Sequence, residues 1–145
     1  MNVYNNNNYN EFLELFAKIA KQWGIGETAG RVWGLLLIMS KPLTQEEIVN
    51  KIHYSRGLVS RALKKLRELR LIGYTKKGRE FYYYSTTSFV NGFNRIVQYF
   101  IVKDLNPVLK KLRKIGEHNK STTLSRLFKE YKSFKDYISR LTGRR

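Results

Sequence analysis

Apolar residues recur every three or four positions along most of the chain, which predicts a mainly helical protein. A first helix is predicted over residues 11–24, with a buried face formed by Phe12, Leu15, Phe16, Ile19 and Trp23. A second helix is predicted from Glu27 to Met39. Its Gly30 and Gly34 are four residues apart, and this spacing indicates close packing against another helix.

The pattern then changes to two shorter helices. Ser40-Lys41-Pro42 ends the second helix, and Thr44-Gln45-Glu46-Glu47 fits a capping box that begins a third helix ending near Ile52. Ser55 is the predicted N-cap of a fourth helix that reaches about Leu69. One side of this fourth helix is apolar, and the first turns of the other side carry Arg56, Gly57, Ser60, Arg61 and Lys64. A short helix, a tight turn and a cationic second helix form the helix-turn-helix arrangement that enters a major groove.

The segment LIGYTKKGREFYYYS predicts a β-hairpin directly after the fourth helix. Its strands are predicted at 71–75 and 79–85, joined by a basic turn at Lys76-Lys77-Gly78. A hairpin carrying Lys76, Lys77 and Arg79 beside a recognition helix is a wing that contacts phosphates or the minor groove. The order of these elements predicts a winged helix-turn-helix.

The C-terminal third predicts more apolar helical surface than a small winged domain needs for itself. A long helix begins near Phe89, kinks or restarts at Asn106-Pro107 and ends near Gly116, and a last helix spans about 122–141 with near-heptad apolar spacing. Packing against the first helix is one way to bury part of this surface. We expect instead a symmetric homodimer, whose predicted interface is Phe89, Phe93, Ile96, Val97, Phe100, Leu124, Leu127, Phe128, Tyr131, Phe134 and Ile138.

The predicted fold class is therefore mainly α with a small β-hairpin wing, a winged helix-turn-helix with N- and C-terminal dimerisation helices. Residues 1–10 are expected to be a disordered Asn-rich arm, and residues 11–24 the N-terminal helix. Residues 25–86 form the predicted DNA-binding domain. Residues 87–145 form the predicted helical dimerisation region.

Charge narrows the range of partners. The 145 residues include 28 Lys and Arg but 11 Asp and Glu, a formal charge of +17 that attracts nucleic acid, anionic membrane or another acidic surface. There is no Cys, which excludes a disulfide framework, a thiolate metal site and a thiol nucleophile. The longest apolar run is too short to span a bilayer, and the N-terminus lacks a signal-peptide pattern. We expect a cytoplasmic, nucleoid-associated protein that does not bind membranes.

Double-stranded DNA is the partner that the fold and charge predict together. The predicted contacts are Thr44, Ser55, Arg56, Gly57, Ser60, Arg61, Lys64, Lys65, Lys76, Lys77 and Arg79. Asp104 and Asp136 are the only aspartates, and neither a Gly-rich phosphate loop nor a His-containing metal spacing occurs. We therefore predict no enzyme, no metal and no cofactor. A small-molecule effector, whose identity the sequence leaves open, acts only through different affinities for two dimer geometries.

Three stretches of this chain resemble the GbsR branch of the MarR-type transcriptional regulators. They are GETAGRVWGLLLIMSKPLTQEEIV, YSRGLVSRALKKLRELRLI and the basic hairpin, within residues 24–85. The resemblance implies a homodimeric repressor or activator whose recognition helix contacts DNA through Arg56, Gly57, Ser60, Arg61 and Lys64, and whose wing contacts it through Lys77 and Arg79. One departure is Arg70, where such proteins usually have Gly. We expect Arg70 to take the left-handed conformation.

A sequence-specific transcriptional regulator is the predicted function, and two alternatives stay open. A low-specificity architectural, chromatin-type DNA-binding protein has the same fold and charge but little sequence preference. A protein-docking module tolerates neutralisation of Arg56, Arg61 and Lys64 without losing its partner. The cations Lys110, Lys111, Arg113 and Lys114 are interpreted most simply as the solvated face of their helix, or as an extension of the DNA footprint.

Overall fold

A computed structural model describes residues 7–39, 41–118 and 121–143. Its elements in chain order are α1 (Asn7–Gln22), α2 (Glu27–Ile38), β1 (Leu43–Thr44), α3 (Gln45–Ile52), α4 (Arg56–Glu68), β2 (Ile72–Lys77), β3 (Glu80–Ser85), α5 (Phe89–Phe100), a π-helical segment (Ile101–Leu105), α6 (Asn106–His118) and α7 (Thr122–Leu141). Most of the described chain is helical and the strands form one small sheet, so the predicted fold class is confirmed.

The chain divides into two compact units, Met1–Gly92 and Phe93–Arg145. The division falls within α5, a few residues after the boundary predicted at residue 86. Helix α1 begins at Asn7, so that residues 7–10 of the predicted arm are helical. The remainder of that arm, residues 1–6, lies outside the described residues.

Helix α1 packs against α2 through small residues. A Cβ added to Gly30 would overlap the Cβ of Ala20, and one added to Gly34 would lie 3.0 Å from the ring of Phe16. The two glycines therefore let the helices approach closely, as their spacing predicted.

The buried face of α1 differs from the predicted one. It consists of Leu13, Phe16, Ala17 and Ala20. The prediction was right for Phe16 and wrong for the other residues, since Phe12, Leu15, Ile19 and Trp23 are exposed. The reason is that the glycine surface of α2 accepts alanines, which turns the large side chains of α1 outward.

Helices α2, α3 and α4 build the helix-turn-helix around a shared apolar core. Its most deeply buried side chains include Trp33, Leu35, Ile48, Val59, Leu63 and Leu66. The two predicted N-caps are present: Thr44 Oγ1 accepts from the Glu47 N–H at 3.2 Å, and Ser55 Oγ accepts from the Leu58 N–H at 3.2 Å. Between the caps, His53 ends α3 in the left-handed conformation with φ 57°, which reverses the chain within three residues.

Arg70 ends α4 in the conformation predicted for it, with φ 59°. The N–H of Arg70 donates to the carbonyl of Arg67 at 2.9 Å, and the N–H of Leu71 donates to that of Leu66 at 3.0 Å. This pair of bonds is a Schellman motif, which a residue with positive φ makes possible. Thr86 Oγ1 donates to the Arg70 carbonyl and ties the helix end to the end of the wing.

The sheet has the strand order β1-β3-β2, all antiparallel. The hairpin closes at the pair Lys77–Glu80, so the turn consists of Gly78 and Arg79, with Gly78 at φ 63°. The predicted turn was wrong, because Lys76 and Lys77 belong to β2. Strand β1 was not predicted, since two residues are too few to show an alternating pattern.

Helix α5 begins against the winged unit. The ring of Phe89 stacks on Trp33 with centroids 6.0 Å apart, and a Cβ added to Gly92 would overlap the Trp33 indole. Trp33 Nε1 donates to Ser85 Oγ at 3.4 Å, which connects the same indole to the end of β3. Gly92 is thus required for the approach of α5 to Trp33.

The C-terminal unit contains the interruption predicted at Asn106-Pro107. The Asn106 N–H donates to the carbonyl of Ile101, a π-helical bond that opens the ladder just before Pro107, which has no N–H. Helices α6 and α7 then pair antiparallel, so that residues near the start of α6 face residues in the second half of α7. Within residues 7–39, 41–118 and 121–143, no helix combines the length and apolar character needed to cross a bilayer.

Candidate nucleic-acid interface

The exposed face of α4 carries a row of cations and small residues. The exposed residues of α4 include Arg56, Gly57, Ser60, Arg61, Lys64 and Arg67. With 3.6 residues per turn, Gly57, Arg61 and Lys64 lie opposite the buried Val59, Ala62, Leu63 and Leu66, and Arg56, Ser60 and Arg67 lie along one flank. Most of these positions were predicted. Arg67 was missed, although it continues the spacing of Arg56, Ser60 and Lys64 along the helix.

The cations of this face are available to a partner. Arg56, Arg61 and Lys64 are exposed, and among the described residues none of them forms an ion pair with a carboxylate. Glu68 is the one acidic residue on the same side of α4, at its C-terminal end. The face therefore presents a strong positive field to a polyanion.

The first turn of α4 is held in place by two side chains. Ser55 Oγ caps the helix, and Gln45 Nε2 of α3 donates to the Arg56 carbonyl at 3.0 Å. The second bond fixes the start of α4 to α3, beside Arg56 and Gly57. Gln45 was not predicted to have this role, because its sequence position indicates only the first turn of α3.

Gly57 has no structural reason to be glycine. No atom lies within 4 Å of a Cβ added to it, and its φ is not positive. Glycine in a helix is less favourable than alanine by up to about 1 kcal/mol. The fold gains nothing in return, and the bare backbone at this exposed position leaves room for a close approach from outside.

The wing places its cations on both faces of the ribbon. Lys76 Nζ lies 5.4 Å from the ring centroid of Phe81, and Lys77 Nζ lies 5.4 Å from that of Tyr82. Arg79 is exposed in the turn. The guanidinium of Arg67 lies 5.6 Å from the centroid of Tyr74 and connects the end of α4 to β2. The cation at the end of α4 therefore lies beside the wing.

Thr44, one of the predicted DNA contacts, is less well suited to bind phosphate than the cations of α4. The Thr44 hydroxyl already caps α3, beside Glu46 and Glu47, and Thr44 pairs with Tyr82 in the sheet. A hydrogen bond to Glu80 at 3.2 Å and the charge of that carboxylate raise the pKa of Tyr82 above its ordinary value. The field around Thr44 is therefore less positive than that around α4.

Lys65 is half-buried and lies on the flank of α4, between the exposed and the buried sides. Lys65 already takes part in an interaction within the protein. Lys65 is therefore less available to a partner than Lys64.

The residues predicted for a dimer interface differ in exposure. Phe89, Phe100, Leu127, Tyr131 and Phe134 are exposed. Ile96 is buried, and Phe93, Val97, Leu124, Phe128 and Ile138 are half-buried. No described residue of α7 is buried, although that helix carries an apolar stripe along much of its length. Such a stripe is typical of a helix that packs against a further partner.

Comparisons with known proteins agree on the fold. A family model described as the bacterial regulatory protein, arsR family, matches residues 31–74, from α2 into β2. A crystal structure of a transcriptional regulator superimposes with a TM-score of 0.72 at 20% sequence identity, covering 94% of this chain and 97% of that one. No curated protein matches the chain significantly. The chain thus has a winged helix-turn-helix fold. The family model that matches part of it is the arsR one, and the resemblance to the GbsR branch is not confirmed.

Proposed function

We propose that this protein is a transcriptional regulator that binds double-stranded DNA sequence-specifically as a homodimer. The observation that carries the proposal is the outer face of α4, where unpaired cations surround a glycine that the fold does not need. The similarity of residues 31–74 to bacterial regulatory proteins and the shared fold of a solved regulator support it. The proposal includes no catalytic step.

In this proposal α4 lies in the major groove. Gly57 and Ser60 let the helix approach the bases, and Arg56 and Arg61 reach guanine edges or phosphates around them. Lys64 and Arg67 continue along the groove wall. Lys76, Lys77 and Arg79 of the wing contact the flanking backbone and add to the salt dependence of binding.

We also propose that a second copy covers apolar residues of the terminal helices. Those exposed on α7 include Leu127, Tyr131 and Phe134, and those exposed on α1, in the other unit, include Phe12 and Leu15. A two-fold dimer presents two recognition helices to half-sites about one DNA turn apart. We propose further that the protein is related to the GbsR branch, and that it is located in the cytoplasm in association with the nucleoid.

DNA binding by α4 is tested by removing one positive charge from α4 and, as a control, one positive charge from α1. Duplex from the region upstream of the protein's own gene and a scrambled duplex of equal length are titrated by fluorescence anisotropy over a series of salt concentrations. We expect the native duplex to bind about a thousandfold more tightly at physiological salt. Arg61→Ala should weaken binding to the native duplex by tenfold or more, at about 1–3 kcal/mol per base contact, and binding to scrambled duplex much less.

Lys21→Ala is the matched control, because it removes one exposed positive charge from α1. It should lower the affinity for both duplexes slightly and equally. Equal affinity for the two duplexes, with Arg61→Ala and Lys21→Ala indistinguishable, would instead identify an architectural DNA-binding protein. Absence of duplex binding would leave the protein-docking function.

A further inference from the structure

The C-terminal unit contains a cationic groove between α6 and α7 that the proposed function does not use. Its volume is about 330 Å³, at the lower end of the range for small-molecule sites. Lys110 and Arg113 line it from α6, and Lys132 and Lys135 line it from α7. Positive charges of two helices thus face a common space.

This arrangement differs from the solvated helix face that the sequence indicates. Lys132 and Lys135 follow Phe128 by four and seven residues, so they share its side of α7, and all of them line the groove. In the described part of the chain none of the groove's Lys and Arg side chains forms an ion pair, and Asp136 is the one carboxylate in the lining. Facing cations repel one another, which a bound anion would relieve.

The overall charge of the C-terminal unit also favours an anionic ligand. Residues 93–145 hold half of the 28 Lys and Arg residues of the chain. Their acidic residues are Asp104, Glu117, Glu130 and Asp136. A multiply charged anion such as a phosphate ester therefore fits the groove better than a neutral ligand.

Two acceptors in the lining show that the ligand also needs hydrogen-bond donors. Among the described residues the buried Asn106 Oδ1 atom has no hydrogen-bond partner, and a buried acceptor that is left unsatisfied is unfavourable. The Asp136 carboxylate is a second acceptor. The phosphodiester backbone of DNA offers acceptors only, so it satisfies neither group.

The groove also has an aromatic surface. Phe128 lies against the guanidinium of Arg113, which is 5.7 Å from the ring centroid. A planar ring placed here would gain stacking contacts with Phe128 or Arg113. The lining therefore combines sites for an anionic group, a donor and a flat ring.

We propose that this groove binds a nucleoside phosphate. The phosphate is held by Lys110, Lys132 and Lys135, and the base packs against Phe128. An N–H or O–H of the nucleoside donates to Asn106, whose Oδ1 turns from its buried position into the groove when the ligand binds. This assignment rests on the C-terminal unit alone and does not require that the protein bind DNA. If the protein is a regulator, the nucleotide is its effector.

The test is isothermal titration calorimetry on the full chain, freed of nucleic acid. The probes are the mono- and diphosphates of adenosine, guanosine, cytidine and uridine, with inorganic phosphate and adenosine for comparison. We expect at least one nucleotide to bind once per chain, about tenfold or more tightly than inorganic phosphate, and adenosine to bind undetectably.

Three variants locate the site, and circular dichroism verifies that each is folded. The double variant Lys132→Gln/Lys135→Gln should weaken nucleotide binding by about tenfold or more, since it removes two charged hydrogen bonds to the phosphate, weakened by the solvent around Lys132. Asn106→Leu should weaken nucleotide binding but not phosphate binding. The control Lys111→Gln/Lys129→Gln removes the same charge from positions outside the groove, one on α6 and one on α7, and it should change the affinity by less than about twofold.

Other results would overturn the assignment. Equal losses in the two double variants would mean a diffuse field rather than a site, and no nucleotide binding tighter than phosphate would exclude the nucleoside part. Loss of duplex affinity on Lys132→Gln/Lys135→Gln without any nucleotide binding would make the groove a DNA contact. Arg61→Ala should leave nucleotide binding unchanged, so a failure of the regulator proposal is distinguishable from a failure of this one.

Discussion

One substitution, glycine to alanine, should have opposite effects at two helical positions of the winged unit. At Gly57 the added methyl group meets no atom within 4 Å, so Gly57→Ala should stabilise the fold by about 0.5–1 kcal/mol through helix propensity. At Gly30 the same methyl group overlaps Ala20 Cβ and approaches Ala17 Cα to 3.2 Å. Helices α1 and α2 must then separate.

The propensity gain is similar at both sites, so the difference between the two variants measures the overlap. Overpacking of a close contact costs about 1–3 kcal/mol, and separation also loosens the contact made by Leu13 and Phe16. We expect Gly30→Ala to be less stable than Gly57→Ala by about 2–3 kcal/mol. Urea unfolding followed by tryptophan fluorescence measures this, because Trp33 is 1% exposed.

The reasoning fails if the free energies of unfolding of the two variants differ by less than about 0.5 kcal/mol while the slope against urea concentration is unchanged. Such a result would mean that α1 does not contact α2 through Gly30. Gly57→Ala also tests the proposed function, because it should weaken binding to the native duplex while it stabilises the fold. A stabilised variant with undiminished DNA affinity would show that glycine is not needed for close approach.

Two further predictions concern the end of α4 and the surface of α7. Arg70→Gly should be more stable than Arg70→Ala by about 0.5–1 kcal/mol, because φ 59° disfavours any residue with a Cβ. Lys64→Gly should instead be less stable than Lys64→Ala in urea unfolding, because Lys64 lies within the helix. If the alanine variant is the more stable one at both positions, Arg70 does not end α4 in the left-handed conformation. Leu127→Lys/Phe134→Lys should convert a dimer to a monomer in sedimentation equilibrium, whereas Ser133→Lys on the same helix should not. A dimer that survives the double change places the interface elsewhere.

Much of the winged unit could be predicted because its signals are local. A cap such as Ser55 acts on an N–H three residues away, and Arg70 ends a helix through bonds to residues within one turn. The exposed face of α4 follows from the helical period once the apolar residues are assigned to the core. These features depend on neighbours in sequence, so the chain itself specifies them.

Other features depend on residues that meet only after folding. The buried side of α1 was wrongly predicted because Ala17 and Ala20 fit against Gly30, and hydrophobicity alone favours the larger side chains. Strand β1 exists because Thr44 pairs with Tyr82, far along the sequence. Gln45 reaches the Arg56 carbonyl only after the turn has brought α3 to α4.

The placement of some charged residues could likewise be predicted from the sequence, whereas that of others depends on tertiary contacts. The sequence by itself determined that α4 and the wing are cationic, because periodicity and order place those side chains. Only the tertiary structure decided that Lys132 and Lys135 face Lys110 and Arg113 across a groove beside Asn106. A helical period fixes which residues share a face, but the partner that this face meets is set by the packing of α6 against α7.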